Sequence, residues 1–295
     1  MALPASSQTA GHAYDGDKFF VATFEGLVLS FDAASRQPGW STKLRQSFGF
    51  VTVPTATGGA VYVGDRGSDG IAALSAMNGT LLWSNAVNSG GFGTRSIAGD
   101  SVFVAYGCQT HRLVAATGAT IWDNDRECSG GGRATIAIAD DRLYVRGFDF
   151  TTALAEFVDV RSATSGTRSN RYGSVGAFAE APLPAVTANA AYLLDSATLR
   201  RFDPELAAAA WSFAGDGTLV TPPIVVGNAV GGGDKSGMLY AVAARTGAQT
   251  WSAQLPSGID DSNDAFVLMP AGLTAGEGVL MAPARNTLTG FRLVP

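Results

Sequence analysis

Five tryptophans stand at positions 40, 83, 122, 211 and 251, and the chain has no others. Each closes the same short phrase, an apolar, strand-like run followed by a turn. Residues 73–83 read ALSAMNGTLLW, residues 113–122 read LVAATGATIW, and residues 238–251 read MLYAVAARTGAQTW. Residues 31–40 (FDAASRQPGW) and 202–211 (FDPELAAAAW) keep the run and the tryptophan but lose the Thr-Gly. The intervals are 43, 39, 89 and 40 residues, so the long one holds two periods with one tryptophan replaced. A period of roughly 40 to 50 residues belongs to a propeller or a solenoid.

Strand content decides between the two. Each period holds several short runs of Val, Leu, Ile, Phe and Tyr separated by Gly, Asp and Asn, and no window sustains a 3.6-residue pattern. Seven copies of a second strand, b, fall at 18–24, 60–64, 101–106, 142–146, 190–194, 229–231 and 279–282. Tight pairs at 16/17, 58/59, 99/100, 140/141, 227/228 and 276/277 precede most of them, where glycine supplies positive φ cheaply. The expected fold is all-β: a seven-bladed propeller of four-stranded antiparallel blades, one domain over residues 1–295.

Two blades depart from the pattern. The fourth carries Ser165-Gly166 but places Asn170 where a tryptophan is expected. The seventh, at 288–295, stops after its third strand, which leaves an open sheet edge. The N-terminal strand, residues 1–8, is expected to pair there and close the last blade.

The apolar strand, Thr-Gly and tryptophan resemble the repeat of the quinoprotein (PQQ)-like propellers, which include the quinoprotein dehydrogenases and an outer-membrane assembly lipoprotein. That resemblance implies that the tryptophan packs between neighbouring blades, a large ring filling the space there. The dehydrogenases add an adjacent cysteine pair, a tryptophan beneath the cofactor and Ca²⁺ ligands. Here the two cysteines are twenty residues apart, at 108 and 128, and all five tryptophans belong to the repeat. No cofactor is expected, PQQ included.

Charge excludes other classes. The net charge is −5, the pI is about 5.0, and no basic cluster exceeds two adjacent residues, so the footprint of a nucleic-acid binder is missing. Charged residues make up only 15%, against about 25% in ordinary soluble chains, as many short strands with few charged faces would give. No apolar run approaches the roughly 18 to 20 residues of a membrane-spanning helix, and MALPASSQTAG has neither a basic segment nor a signal core.

The short turns belong to one face of such a fold. Long, varied loops at 44–53, 88–95, 125–133, 171–183 and 257–269 belong to the other, where sites are usually built. The expected function is binding or scaffolding through that face, with a protein, peptide or small molecule as partner. Candidate contact residues are His12, Phe50, Asp65, Arg66, Phe92, His111, Tyr172, Asp234 and Arg285. The alternative is an enzyme with a small-molecule site at the channel mouth. Asp149 or Glu180 would then serve as base, and Arg95, Arg133 or Arg146 would stabilise negative charge. Arg95 is notable because Pro54, Pro184 and Pro223 hold its place in other blades. Asp260, Asp261 and Asp264 in GIDDSNDAF read first as a turn and second as a cation loop, since closely spaced carboxylates supply the oxygens Ca²⁺ prefers.

Four-strand order brings the loops carrying Cys108 and Cys128 to the same face, so a disulfide is expected. Closing a loop of about 20 residues would stabilise the fold by roughly 3 kcal/mol. Such a bond points to an oxidising compartment, periplasmic or extracellular, and to a signal peptide already removed.

Overall fold

The structure is a computed structural model that describes residues 9–44, 53–64, 70–87, 94–106, 109–125, 133–134, 136–149, 155–173, 183–206, 208–260 and 272–292. No helix occurs among them, and none is therefore long and apolar enough to cross a membrane. The fold is a seven-bladed β-propeller of antiparallel sheets, in two compact units: residues 1–136 with 163–167, and residues 137–162 with 168–295.

The first unit carries three blades. Blade one is β1 (Thr9–Asp15), β2 (Lys18–Thr23), β3 (Leu27–Asp32) and β4 (Pro38–Lys43), paired in that order. Blade two is β5 (Thr55–Thr57), β6 (Ala60–Gly64), β7 (Ile71–Ser75) and β8 (Leu81–Asn85). Blade three is β9 (Ser96–Ala98), β10 (Ser101–Tyr106), β11 (Gln109–Val114) and β12 (Thr120–Asp125), with β13 (Arg133–Ala134) also on β10. The short β9 covers only Ser101 to Phe103 of β10, and β13 pairs with Ala105 and Tyr106 beyond it. Arg133, read as a loop residue, is thus a strand residue.

The second unit carries four. Blade four is β14 (Ile136–Ala139), β15 (Arg142–Asp149), β16 (Ala155–Ser162) and β17 (Arg168–Gly173). Blade five is β18 (Ala185–Thr187), β19 (Ala190–Asp195), β20 (Thr198–Phe202) and β21 (Ala209–Phe213). Blade six is β22 (Ile224–Val226), β23 (Ala229–Gly233), β24 (Met238–Ala243) and β25 (Gln249–Gln254). Blade seven has three described strands, β26 (Thr274–Gly276), β27 (Val279–Ala284) and β28 (Thr287–Arg292). Residues 1–8, expected to complete it, lie outside the described residues.

The central strands read as continuous apolar runs because both their faces are covered, and AVYVG of β6 is buried at every position. The fourth strands alternate instead: LLWSN of β8 buries the tryptophan alone. Apolar layers fill the space between blades. Val61, Val63 and Leu74 pack with Phe20 and Val28 between blades one and two, and Tyr144, Val158 and Tyr172 pack with Leu193 and Phe202 between blades four and five.

The tryptophan repeat acquires a physical reason here. Four of the five indole N–H groups donate to the carbonyl just after the third strand of the next blade: Trp40 to Ala76 (3.0 Å), Trp83 to Ala115 (2.8 Å), Trp122 to Ala163 (3.1 Å) and Trp211 to Ala244 (3.1 Å). Three residues on, a glycine at φ between 71° and 74° lies flat beneath the ring: Gly79, Gly118, Gly166 and Gly247. A Cβ at Gly247 would meet Trp211 at 2.7 Å, and those at Gly79 and Gly118 would collide with Trp40 and Trp83. The turn glycine therefore serves two demands, a left-handed backbone and a seat for a ring. In blade four Asn170 Nδ2 makes the equivalent bond to Pro204 at 3.2 Å, and Tyr172 supplies the ring, stacked 4.6 Å from Phe202.

Candidate functional site: an apolar groove between blades six and seven

The ladder aligns one row across each blade. Tyr62, Ala73 and Trp83 form it in blade two, Phe103, Arg112 and Trp122 in blade three, and Tyr192, Arg201 and Trp211 in blade five. In each the ring on the second strand packs against the tryptophan, with centroids 6.0, 6.3 and 5.9 Å apart, and Phe20 lies 5.8 Å from Trp40 in blade one. Blade six repeats the row as Gly231, Ala241 and Trp251. The aromatic partner is missing.

Trp251 is correspondingly different. The repeat implies a buried ring, yet Trp251 is 38% exposed, where Trp83 is buried and Trp40, Trp122 and Trp211 are half-buried. Its N–H has no acceptor among the described residues, and its ring meets Phe291 of blade seven edge-on at 5.4 Å. Ile224, directly opposite Gly231, stands where blades two, three and five have Thr55, Ser96 and Ala185, so its branched carbons restore part of the lost volume. What remains is a groove of about 600 Å³ floored by Gly231. Leu239, Leu273, Leu280, Trp251 and Phe291 line it, together with the polar Thr250 and Arg292. Concave apolar sites with a few placed polar groups are the general form of a ligand pocket.

A profile of the PQQ-like repeat family described as outer membrane protein assembly factor BamB matches residues 2–115, 68–164 and 110–290. This chain belongs to that family. Among solved structures it is similar to BamB from Moraxella catarrhalis, with 17% identity, a TM-score of 0.74, and coverage of 98% of this chain and 86% of that one. The computationally designed Ika8 protein is similar over 97% of this chain and 96% of its own, with 13% identity and a TM-score of 0.58. A europium-containing methanol dehydrogenase is similar over 84% and 69%, with 14% identity and a TM-score of 0.61. At these identities the structures share the fold with this member of the BamB-type family. No curated protein matches it.

Within the first unit His12 is exposed on β1, beside a cleft of about 390 Å³ that Asp32 and Arg36 also line. Arg95 is 2% exposed; its carbonyl accepts from Thr55 Oγ1 at 2.8 Å, and its guanidinium lies where a side chain on Gly64 would project. His111 is buried on β11. Within the second unit Arg146 is half-buried on β15. Tyr172 is buried and donates to the Asp203 carbonyl at 2.9 Å, and burial pushes its phenol up.

Asp234 is wholly enclosed. It accepts from Ser236 Oγ (2.7 Å), the Met238 N–H (2.9 Å) and Tyr240 OH (3.0 Å), so its carboxylate holds the turn from β23 to β24 together. Burial first, and then that bond to Asp234, pushes the Tyr240 phenol up to about 12. Arg285 is exposed and sits 3.7 Å from Asp260, a solvent-screened pair worth about 0–1 kcal/mol.

Arg133 and Asp149 have described backbones in β13 and β15, and their side chains lie outside the described residues. Phe50, Asp65, Arg66, Phe92, Glu180, Asp261, Asp264, Cys108 and Cys128 lie outside them altogether. Among the described residues no group of three or more His, Cys, Asp or Glu is placed to hold a metal.

One charged cluster went unnoticed in the sequence. Asp159 of β16, fully buried, receives Arg171 Nε at 2.6 Å and Arg161 Nη2 at 3.2 Å, while Arg171 stacks 3.8 Å over Phe157. Burial lowers the Arg161 pKa and Asp159 opposes that. Arg161 is two residues along the same strand and Arg171 directly across it, so the signal was cross-strand register, which needs the pairing to be known.

Proposed function

We propose that this protein is an extracytoplasmic scaffold, a propeller that holds a partner protein on the face carrying its long loops. The observation that carries the reading is membership of a family described by outer membrane protein assembly, matched over nearly the whole chain. Physical considerations agree with it. Indole-to-carbonyl bonds and glycine seats tie blade two to blade three and blade five to blade six, and a rigid support of this kind lets its loops vary without loss of fold. Contact then falls to aromatic and charged loop residues such as Phe50, Asp65, Arg66 and Phe92. The same reading places the protein in the periplasm or outside the cell, with Cys108 and Cys128 joined.

Site-specific photocrosslinking in the source cells tests the role. A photoreactive residue at Asp65 or Phe92 is expected to capture one defined envelope protein, and the same probe at Asn78 or Thr246, in the short turns, to capture none. Capture from the turns alone, or from neither set, would refute scaffolding by the loop face.

A further inference from the structure

The groove between blades six and seven is shaped by a subtraction, and the subtraction names its ligand. Four other rows of the repeat place a ring from the second strand 5.8 to 6.3 Å from the tryptophan of the fourth. Gly231 removes that ring in blade six, and the row is otherwise intact. One group is left without its usual partner. The face of Trp251 has no ring from its own blade. Arg292, exposed, lines the same groove and brings a positive charge to it.

We propose that this groove binds a small planar aromatic carboxylate. The ring occupies the space over Trp251 that Phe20, Tyr62, Phe103 and Tyr192 fill in their own blades, held by offset or edge-on packing between Trp251 and Phe291. The carboxylate lies beside Arg292, which offers a charge-assisted fork. A volume of about 600 Å³ exceeds one side chain and admits a fused two-ring acid. An aliphatic acid of similar size gains the burial but not the ring packing, and a neutral aromatic gains the packing but not the charge. The proposal does not depend on the scaffolding role, since the groove is built from strands of blades six and seven and not from the long loops.

Isothermal titration of the full chain with 1-naphthoate tests it, with cyclohexanecarboxylate and 1-naphthalenemethanol as comparators. Saturable binding is expected for 1-naphthoate, at least about tenfold tighter than for either comparator, a difference of about 1.4 kcal/mol. Gly231→Tyr returns the ring of the other blades and is expected to abolish binding while far-UV circular dichroism stays unchanged. A Cβ at 231 would meet Ile224 at 3.2 Å, so the larger residue has to displace it. Should Gly231→Tyr fail to fold, Trp251→Leu serves instead: it keeps an apolar side chain at a half-exposed position, removes the ring face, and is expected to cost about tenfold or more. Arg292→Gln is expected to weaken 1-naphthoate about tenfold and to leave 1-naphthalenemethanol unchanged. Absence of saturable 1-naphthoate binding, equal binding of cyclohexanecarboxylate, or undiminished binding by whichever of the two groove variants folds would each overturn the proposal.

Discussion

Gly118→Ala separates the two demands placed on a turn glycine. The residue has φ 71°, and a Cβ there collides with the six-membered ring of Trp83. Gly58 offers the control, with φ 61° and nothing within 4 Å of the same position. Left-handed backbone costs an alanine about 1 kcal/mol, which is the whole expected cost of Gly58→Ala. Gly118→Ala adds the displacement of a buried indole bonded to Ala115 at 2.8 Å, and overpacking of that kind costs about 1–3 kcal/mol more. In a chain this long each kcal/mol lowers the melting temperature by roughly 2 °C. Circular dichroism melts should therefore show a fall of about 2 °C for Gly58→Ala and about 4–8 °C for Gly118→Ala. In a Trp83→Ala background the obstruction is gone, and Gly118→Ala should again cost only about 1 kcal/mol, as Gly58→Ala does. Equal losses for the two single variants, or an unreduced Gly118→Ala loss without Trp83, would refute the idea that the glycine is kept for the ring.

Trp83→Ala should cost about 3–5 kcal/mol in a urea or thermal melt, whereas Trp251→Ala, at an exposed position with no ring from its own blade, should cost clearly less; equal costs would contradict the vacant row. The Tyr240 phenol, raised to about 12 in the fold against an ordinary value near 10, favours the folded state fully below pH 10. That contribution is lost as the pH climbs from 10 towards 12, so Tyr240→Phe should flatten this part of the stability profile and remove one late-appearing phenolate from the absorbance at 295 nm. Deleting residues 1–8 should lower the melting temperature by several degrees if they supply the fourth strand of blade seven, and an unchanged value would reject that closure.

Much of the fold was legible because its determinants are local. The tryptophan interval gave the repeat length, the seven second-strand copies gave the blade count, and the paired turn residues marked those strands: 60–64 and 101–106 agree with β6 and β10, while β15 and β23 run on to Asp149 and Gly233. Asn170 was read as an outlier, yet it performs the tryptophan's hydrogen bond, because a carboxamide carries the same kind of donor as an indole. The candidate groove was hidden for the opposite reason. Gly231-Gly232-Gly233 looks like an ordinary weak strand until the ladder places Gly231 in register with Tyr62 and Tyr192, and only then does a glycine become a missing ring. Tyr172 and Asp234 were singled out for their chemistry, and the structure spends both on internal contacts, with Asp203 and with Tyr240. Residue type alone does not tell a partner inside the molecule from one outside it.

The claim on which the functional account turns is that this protein works outside the cytoplasm, and the state of its two cysteines tests that directly. Protein taken from its source cells in the presence of an alkylating agent, then denatured without reductant and weighed by mass spectrometry, should carry no added alkyl group and should fractionate with the cell envelope or the medium. A cytosolic protein bearing two alkyl groups per chain would contradict the claim.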